Sequence, residues 1–247
     1  MTRWKAAAIH LGISLTVATL VGSLIYFVWF PPPYFKVAGG SELIILIMSV
    51  DIVLGPLLTL TVFKSGKKNL RFDLSVIALL QLTAFCYGFW IIAGSRPVFI
   101  VARLDRFMTV AARDLDDADL AANNDPQFST RSLTGPVLVG VTRPTDPKEK
   151  SDLLFSGLAG KDLEKLPKYY TAYSNVEDAM LAEAKPLSEL AKKNPADAAI
   201  IERYVNSTGV PIEQLAYLPL QGHVDGYTMV LSRQTKQPLA ALAIDAW

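Results

Sequence analysis

Apolar residues dominate the chain up to about Ala93, where they fall into three long runs; from Gly94 onward charged, turn and apolar residues mix as in an ordinary soluble domain. The runs cover about residues 7–30, 43–63 and 74–93. Each reaches the roughly 20 helical residues that cross a hydrocarbon core of about 30 Å. The pattern therefore predicts a membrane protein with an N-terminal three-helix transmembrane bundle over residues 1–94, followed by a folded domain over 95–247.

In the second unit, PVFIVARLDRF (97–107) reads as a strand that leaves the membrane directly. DLDDADLAANND (114–125) contains a short helix ended by Asp125-Pro126, and PVLVGVTRP (136–144) reads as a strand between prolines. Asp146-Pro147 has the cap and first-turn chemistry of a helix start. Residues 176–192 and 195–207 read as helices, the latter opening at Asn194-Pro195. QLAYLPL, GYTMVLS and PLAALAIDA are strand signals separated by Gly222, Asp225-Gly226 and Gln237-Pro238. Together they predict an α+β domain with an antiparallel sheet.

Charge then orients the chain. With 24 Lys and Arg against 23 Asp and Glu, the net charge of +1 supplies no basic field for nucleic acid. The cations instead gather at the ends of the apolar runs. Arg3 and Lys5 precede the first; Lys64, Lys67, Lys68 and Arg71 follow the second; the intervening loop has Lys36 alone. The positive-inside rule places the N-terminus and the 64–72 loop in the cytoplasm and exports residues 95–247. The first run is too long for a signal-peptide core and ends in aromatic residues and Pro31-Pro32-Pro33 rather than a small-residue cleavage site, so it is expected to remain as an anchor. One cysteine, Cys86, leaves no intramolecular disulfide to form.

Candidate chemistry lies inside the runs. Asp51, Gly55 and Thr59 recur every fourth residue and share one helix stripe, with Pro56 interrupting the hydrogen-bond ladder. The third run offers Gln81, Ala84 and Gly88, and the first Gly12, Thr16, Thr19 and Ser23. Small and polar stripes let helices approach closely and hydrogen-bond in lipid. Two readings follow: a seam that holds the bundle together, or a docking groove for another transmembrane helix. A third, a membrane enzyme or transporter component using Asp51, rests on the rule that intramembrane ionisable groups carry function. An aspartyl protease needs two carboxylates, and the runs supply Asp51 alone. In the second unit His223 and Asp225 read as a loop or hairpin turn, and no phosphate loop, serine-hydrolase elbow or zinc-ligand spacing is present. No catalytic residue, metal or cofactor is expected.

PYFKVAGGSELIILIMSVDIVLGPLLTLTVF, DLSVIALLQLTAFCYGFW and SRPVFIVARLDRF together resemble the TfpX/TfpZ type IV pilin accessory proteins. The likeness covers roughly residues 33–107 and is carried by Gly39, Gly40, Asp51, Gly55, Pro56, Thr59, Gln81, Gly88 and a junction set of Arg96, Pro97, Asp105, Arg106 and Phe107. It implies a bacterial inner-membrane protein, with its C-terminal domain periplasmic, that assists type IV pilus assembly without catalysis. It also implies as partners a cognate pilin, components of the assembly platform and the lipid bilayer.

Overall fold

The structure, a computed structural model, describes residues 2–158, 160–193 and 195–246. Helix α1 (Arg3–Leu24) starts at Thr2, whose hydroxyl accepts from the Lys5 N–H, and continues through a π-helical turn, Ile25–Trp29. A single helical turn, α2 (Tyr34–Val37), precedes α3 (Gly40–Ser49), a second π-helical turn (Val50–Leu54) and α4 (Gly55–Val62), so the helical backbone is unbroken from Gly40 to Val62. Helix α5 (Leu70–Ser95) follows.

Two helices, Arg3–Trp29 and Leu70–Ser95, are long and apolar enough to cross a membrane. Their most apolar windows are only 17% and 11% buried, which distinguishes them from core helices of a soluble fold. The middle run lies in the Gly40–Val62 helix between them. That helix runs antiparallel to α1, with Thr59 against His10 and Met48 against Gly22, and its Gly55 meets Gln81 of α5.

The second unit, after α5, forms a mixed sheet. Its described elements are β1 (Pro97–Arg103), β2 (Arg106–Ala111), α6 (Asp117–Ala121), β3 (Val137–Val141), α7 (Pro147–Leu158), β4 (Tyr170–Ala172), α8 (Glu177–Glu183), β5 (Lys185–Pro186), α9 (Leu187–Lys193), α10 (Pro195–Thr208), β6 (Leu215–Gln221), β7 (Tyr227–Ser232) and β8 (Pro238–Leu242). The strands lie in the order β4-β3-β1-β2-β6-β7-β8, with β5 also pairing to β6. The sheet is not the antiparallel one expected from the sequence, since β1–β3 and β2–β6 are parallel. The cause is the β1–β2 hairpin, which returns the chain to the side where β1 began. A strand then laid along β1's other edge runs parallel to it, and strand composition carries no trace of that direction.

Other expectations are corrected in detail. PVFIVARLDRF is two strands, because Leu104 takes a positive φ of 42° and closes a turn with Asp105. The helix expected over 176–192 is split by Lys185-Pro186, where proline cannot donate to the ladder and β5 forms instead. The helix expected over 195–207 is α10, although Asn194 lies outside the described residues. β4 carried no distinct strand signal.

β1 is an interior strand, between β3 and β2, and is buried almost throughout. Ile100 and Ala102 enter one layer with Phe107, Met180 and Leu218, while Phe99 and Val101 enter the other with Val139 and Tyr170. This period-two division explains the uninterrupted apolar run from Val98 to Ala102. The 31–39 segment joins the two units. Val37 is fully buried in the first layer of the sheet domain, whereas Ala38 packs with Ile25, Phe30 and Ile92 at the helix ends. The Val224 N–H donates to the Val37 carbonyl at 3.0 Å.

Candidate functional site

The Asp51-Gly55-Thr59 stripe faces inward. Gly55 and Thr59 are buried, and the Thr59 hydroxyl lies 2.6 Å from His10 Nδ1 across the α1–α4 contact. A Cβ on Gly55 would collide with the Gln81 amide nitrogen and stand 2.9 Å from His10 Nε2. Glycine is therefore what lets three helices meet at this level. His10, Gly55, Thr59 and Gln81 form one polar knot among apolar side chains.

Asp51 lies one turn from the knot toward the sheet domain. Its Oδ1 is buried and has no hydrogen-bond partner among the described residues. It borders a cavity of about 440 Å³. The rim comes from Ile13 and Val17 of α1 and Leu82 of α5, all exposed, and Met48 and Asp51 of the middle helix contribute to the wall. An unsatisfied carboxylate oxygen beside an apolar hollow is a demand for a donor.

The remaining predicted residues are placed as follows. Pro56 follows the π-helical turn Val50–Leu54, a local widening of the kind that accompanies interrupted ladders and functional sites. Gly88 is half-buried on α5, two turns beyond Gln81. On α1, Thr16, Thr19 and Ser23 face outward rather than into the seam, and a Cβ on Gly12 would meet no group of another element within 4 Å. The Thr16 and Thr19 hydroxyls donate to the carbonyls of Gly12 and Leu15, four residues back, so they face an apolar surround without an unmet bond.

The junction set divides. Arg96 stands at the end of α5 with its guanidinium 5.7 Å from the centre of the Trp29 ring, and Pro97 opens β1. Asp105 and Arg106 lie at the other end of β1, about 20 Å away at roughly 3.3 Å per strand residue. They form a two-bond pair, Arg106 reaching Asp105 at 2.7 and 3.1 Å, which holds the carboxyl below the ordinary carboxylate range. Phe107 is fully buried in the sheet core.

Sequence reading missed two features. His10 is the partner of Thr59, and an ionisable residue within the first run was the available signal. The packing partner of the Gly39-Gly40 pair, His223, is the second. Gly39 has φ of 76° and a Cβ there would stand 2.6 Å from the His223 ring, while one on Gly40 would press on Phe35. His223 is thus a packing partner of the 31–39 segment, and among the described residues no cluster of three or more metal-ligating side chains exists.

Comparison with known proteins matches residues 1–39 to the family profile described as fimbrial assembly protein FimB. The fimbrial assembly protein of serogroup I from Dichelobacter nodosus is 32% identical over 249 aligned positions, spanning 98% of this chain and 95% of that protein. The serogroup E1 protein of the same organism is 30% identical over the same shares. The protein of serogroups C1 and C2 is 41% identical across 45% of this chain and 86% of its own length. No solved structure matches the chain significantly. A likeness that runs nearly end to end through helices and sheet domain alike places the chain in the FimB family of fimbrial assembly proteins.

Proposed function

We propose that this protein is a non-enzymatic accessory factor of type IV pilus assembly that binds the transmembrane helix of its cognate pilin at the interhelical cavity. The names of its relatives support a role in fimbrial assembly, and the resemblance of residues 33–107 to the TfpX/TfpZ accessory proteins supports a pilin as the partner. In this reading all three helices span the inner membrane, and the sheet domain stands in the periplasm.

The cavity beside Asp51 carries the proposal. A hollow of about 440 Å³ is too small for a helix but takes a few side chains from one lying across the mouth between α1 and α5. Asp51 then offers a buried acceptor to a donor on that helix. Gly55 and Thr59 play the other role read from the sequence, holding the walls together, since Gln81 and His10 already fill the space beside them. The stripe thus supports both the seam and the dock, on adjacent faces.

Filling the mouth tests this. Ala78 lines the cavity and is exposed. Ala78→Phe should reduce surface pili severalfold while immunoblots show normal amounts of the accessory protein. Unchanged piliation with normal protein would remove the cavity as the dock.

A further inference from the structure

A second cavity, of about 490 Å³, opens where α5 meets the sheet domain. Arg96, Arg113 and Arg131 line it, together with Trp90, Ala112 and Leu115, and no carboxylate is among the described residues around it. Three separate segments bring these arginines to one cavity. Arg96 ends the helix, Arg113 follows β2 where the hairpin returns to the start of β1, and Arg131 bonds the Ala112 carbonyl at 2.9 Å.

Two of the three cations, Arg96 and Arg113, have no carboxylate partner among the described residues. Arg131 pairs with Asp117, but Arg96 donates to backbone carbonyls, those of Ala93 and Ser132. Among the described residues no ion pair holds Arg113, whose Cβ stands 3.7 Å from where a Cβ on Gly94 would lie. Burial, and then the neighbouring Arg131 charge, lower the Arg96 pKa. Like charges gathered around a hollow with an apolar floor call for an anion, and guanidinium geometry suits two phosphate oxygens at once.

The level of the cavity identifies the source. It lies at the end of an apolar helix whose Trp90 is 68% exposed, the residue type and position of an interfacial belt. Acyl chains beside α5 would bring their headgroups to this height. We infer that the arginine cavity is a binding site for the phosphate of an anionic phospholipid in the leaflet facing the sheet domain. Such a lipid fixes the height of the domain over the bilayer and ties the β2–α6 connection to the membrane surface.

The inference rests on the membrane reading of α1 and α5 and is independent of pilin docking. Its test uses the full chain, purified in detergent and offered equimolar phosphatidylglycerol and phosphatidylcholine, with bound lipid read by native mass spectrometry. Wild-type protein should retain phosphatidylglycerol in preference. Arg113→Gln should lower its retention about fivefold, the scale of one interfacial cation, and Arg113→Lys should restore most of it. Excess inorganic phosphate should not displace the lipid. Equal retention of both lipids by the wild type, or full retention by a folded Arg113→Gln protein, overturns the site. Displacement by inorganic phosphate reassigns it to a free anion and overturns the lipid. Failure to retain any phospholipid would instead overturn the membrane reading.

Discussion

Thr59 carries the hydrogen bond that crosses from the middle helix to α1, its hydroxyl 2.6 Å from His10 Nδ1. Thr59→Val keeps the shape and removes the bond, and should lower stability by about 1 kcal/mol, the scale of interhelical bonds in lipid. A fall in the thermal unfolding midpoint of the detergent-purified protein checks this; an unchanged midpoint assigns the bond no stabilising role. Thr59 was legible in the sequence because helix geometry alone places it with Asp51 and Gly55. His10 was not, since spacing within one helix says nothing of which residue faces it from another. Thr16 and Thr19 misled for a related reason: a hydroxyl that returns to its own backbone needs no partner helix. In the sheet domain Tyr173 donates to the Lys236 carbonyl at 2.8 Å, and burial, then the Glu177 charge, push its phenol up to about 12 from an ordinary 10.0. The protonated ring is favoured by folding, so its contribution is complete below pH 10.0 and is lost as pH rises through about 12. Stability measured across that alkaline range should decline more steeply for the wild type than for Tyr173→Phe; equal slopes would contradict it.

At the scale of elements, the 31–39 segment does more than connect two helices. α2 carries Val37 into the sheet core and Ala38 onto the helix ends, and Gly39 takes a left-handed conformation to let His223 close over it. Val37→Asp places a carboxylate in the apolar first layer of the sheet core, and should loosen this docking by at least ~2 kcal/mol, roughly a thirtyfold rise in the open form. Trypsin cleavage after the exposed Lys36 should accelerate accordingly; an unaltered rate would show that the segment is not held by Val37. The glycine pair was visible in the sequence, yet its partner lies more than a hundred residues away and could be named only from the fold. The long apolar runs were legible because length against bilayer thickness is a one-dimensional criterion. Strand direction and the Leu104 turn were not, since parallel pairing leaves no local mark and leucine rarely adopts positive φ.

Across the whole molecule, the antiparallel helices put Arg3, Lys5 and the basic 64–71 loop together at the end remote from the sheet domain. That distribution fits the proposed export of the domain, since the positive-inside rule favours the cation-rich end of a helix bundle on the cytoplasmic side. The domain's junction with the helices holds three arginines, and its remote face carries α7, where Leu154, Phe155 and Leu158 are all exposed. Between these ends the cavity beside Asp51 is where the account places pilin. The direct measurement is in-cell photocrosslinking from position 82, on the α5 rim, in cells making the cognate pilin. The account predicts an adduct between the two proteins that is lost in Ala78→Phe. Normal levels of the accessory protein with no pilin adduct at that rim would contradict it.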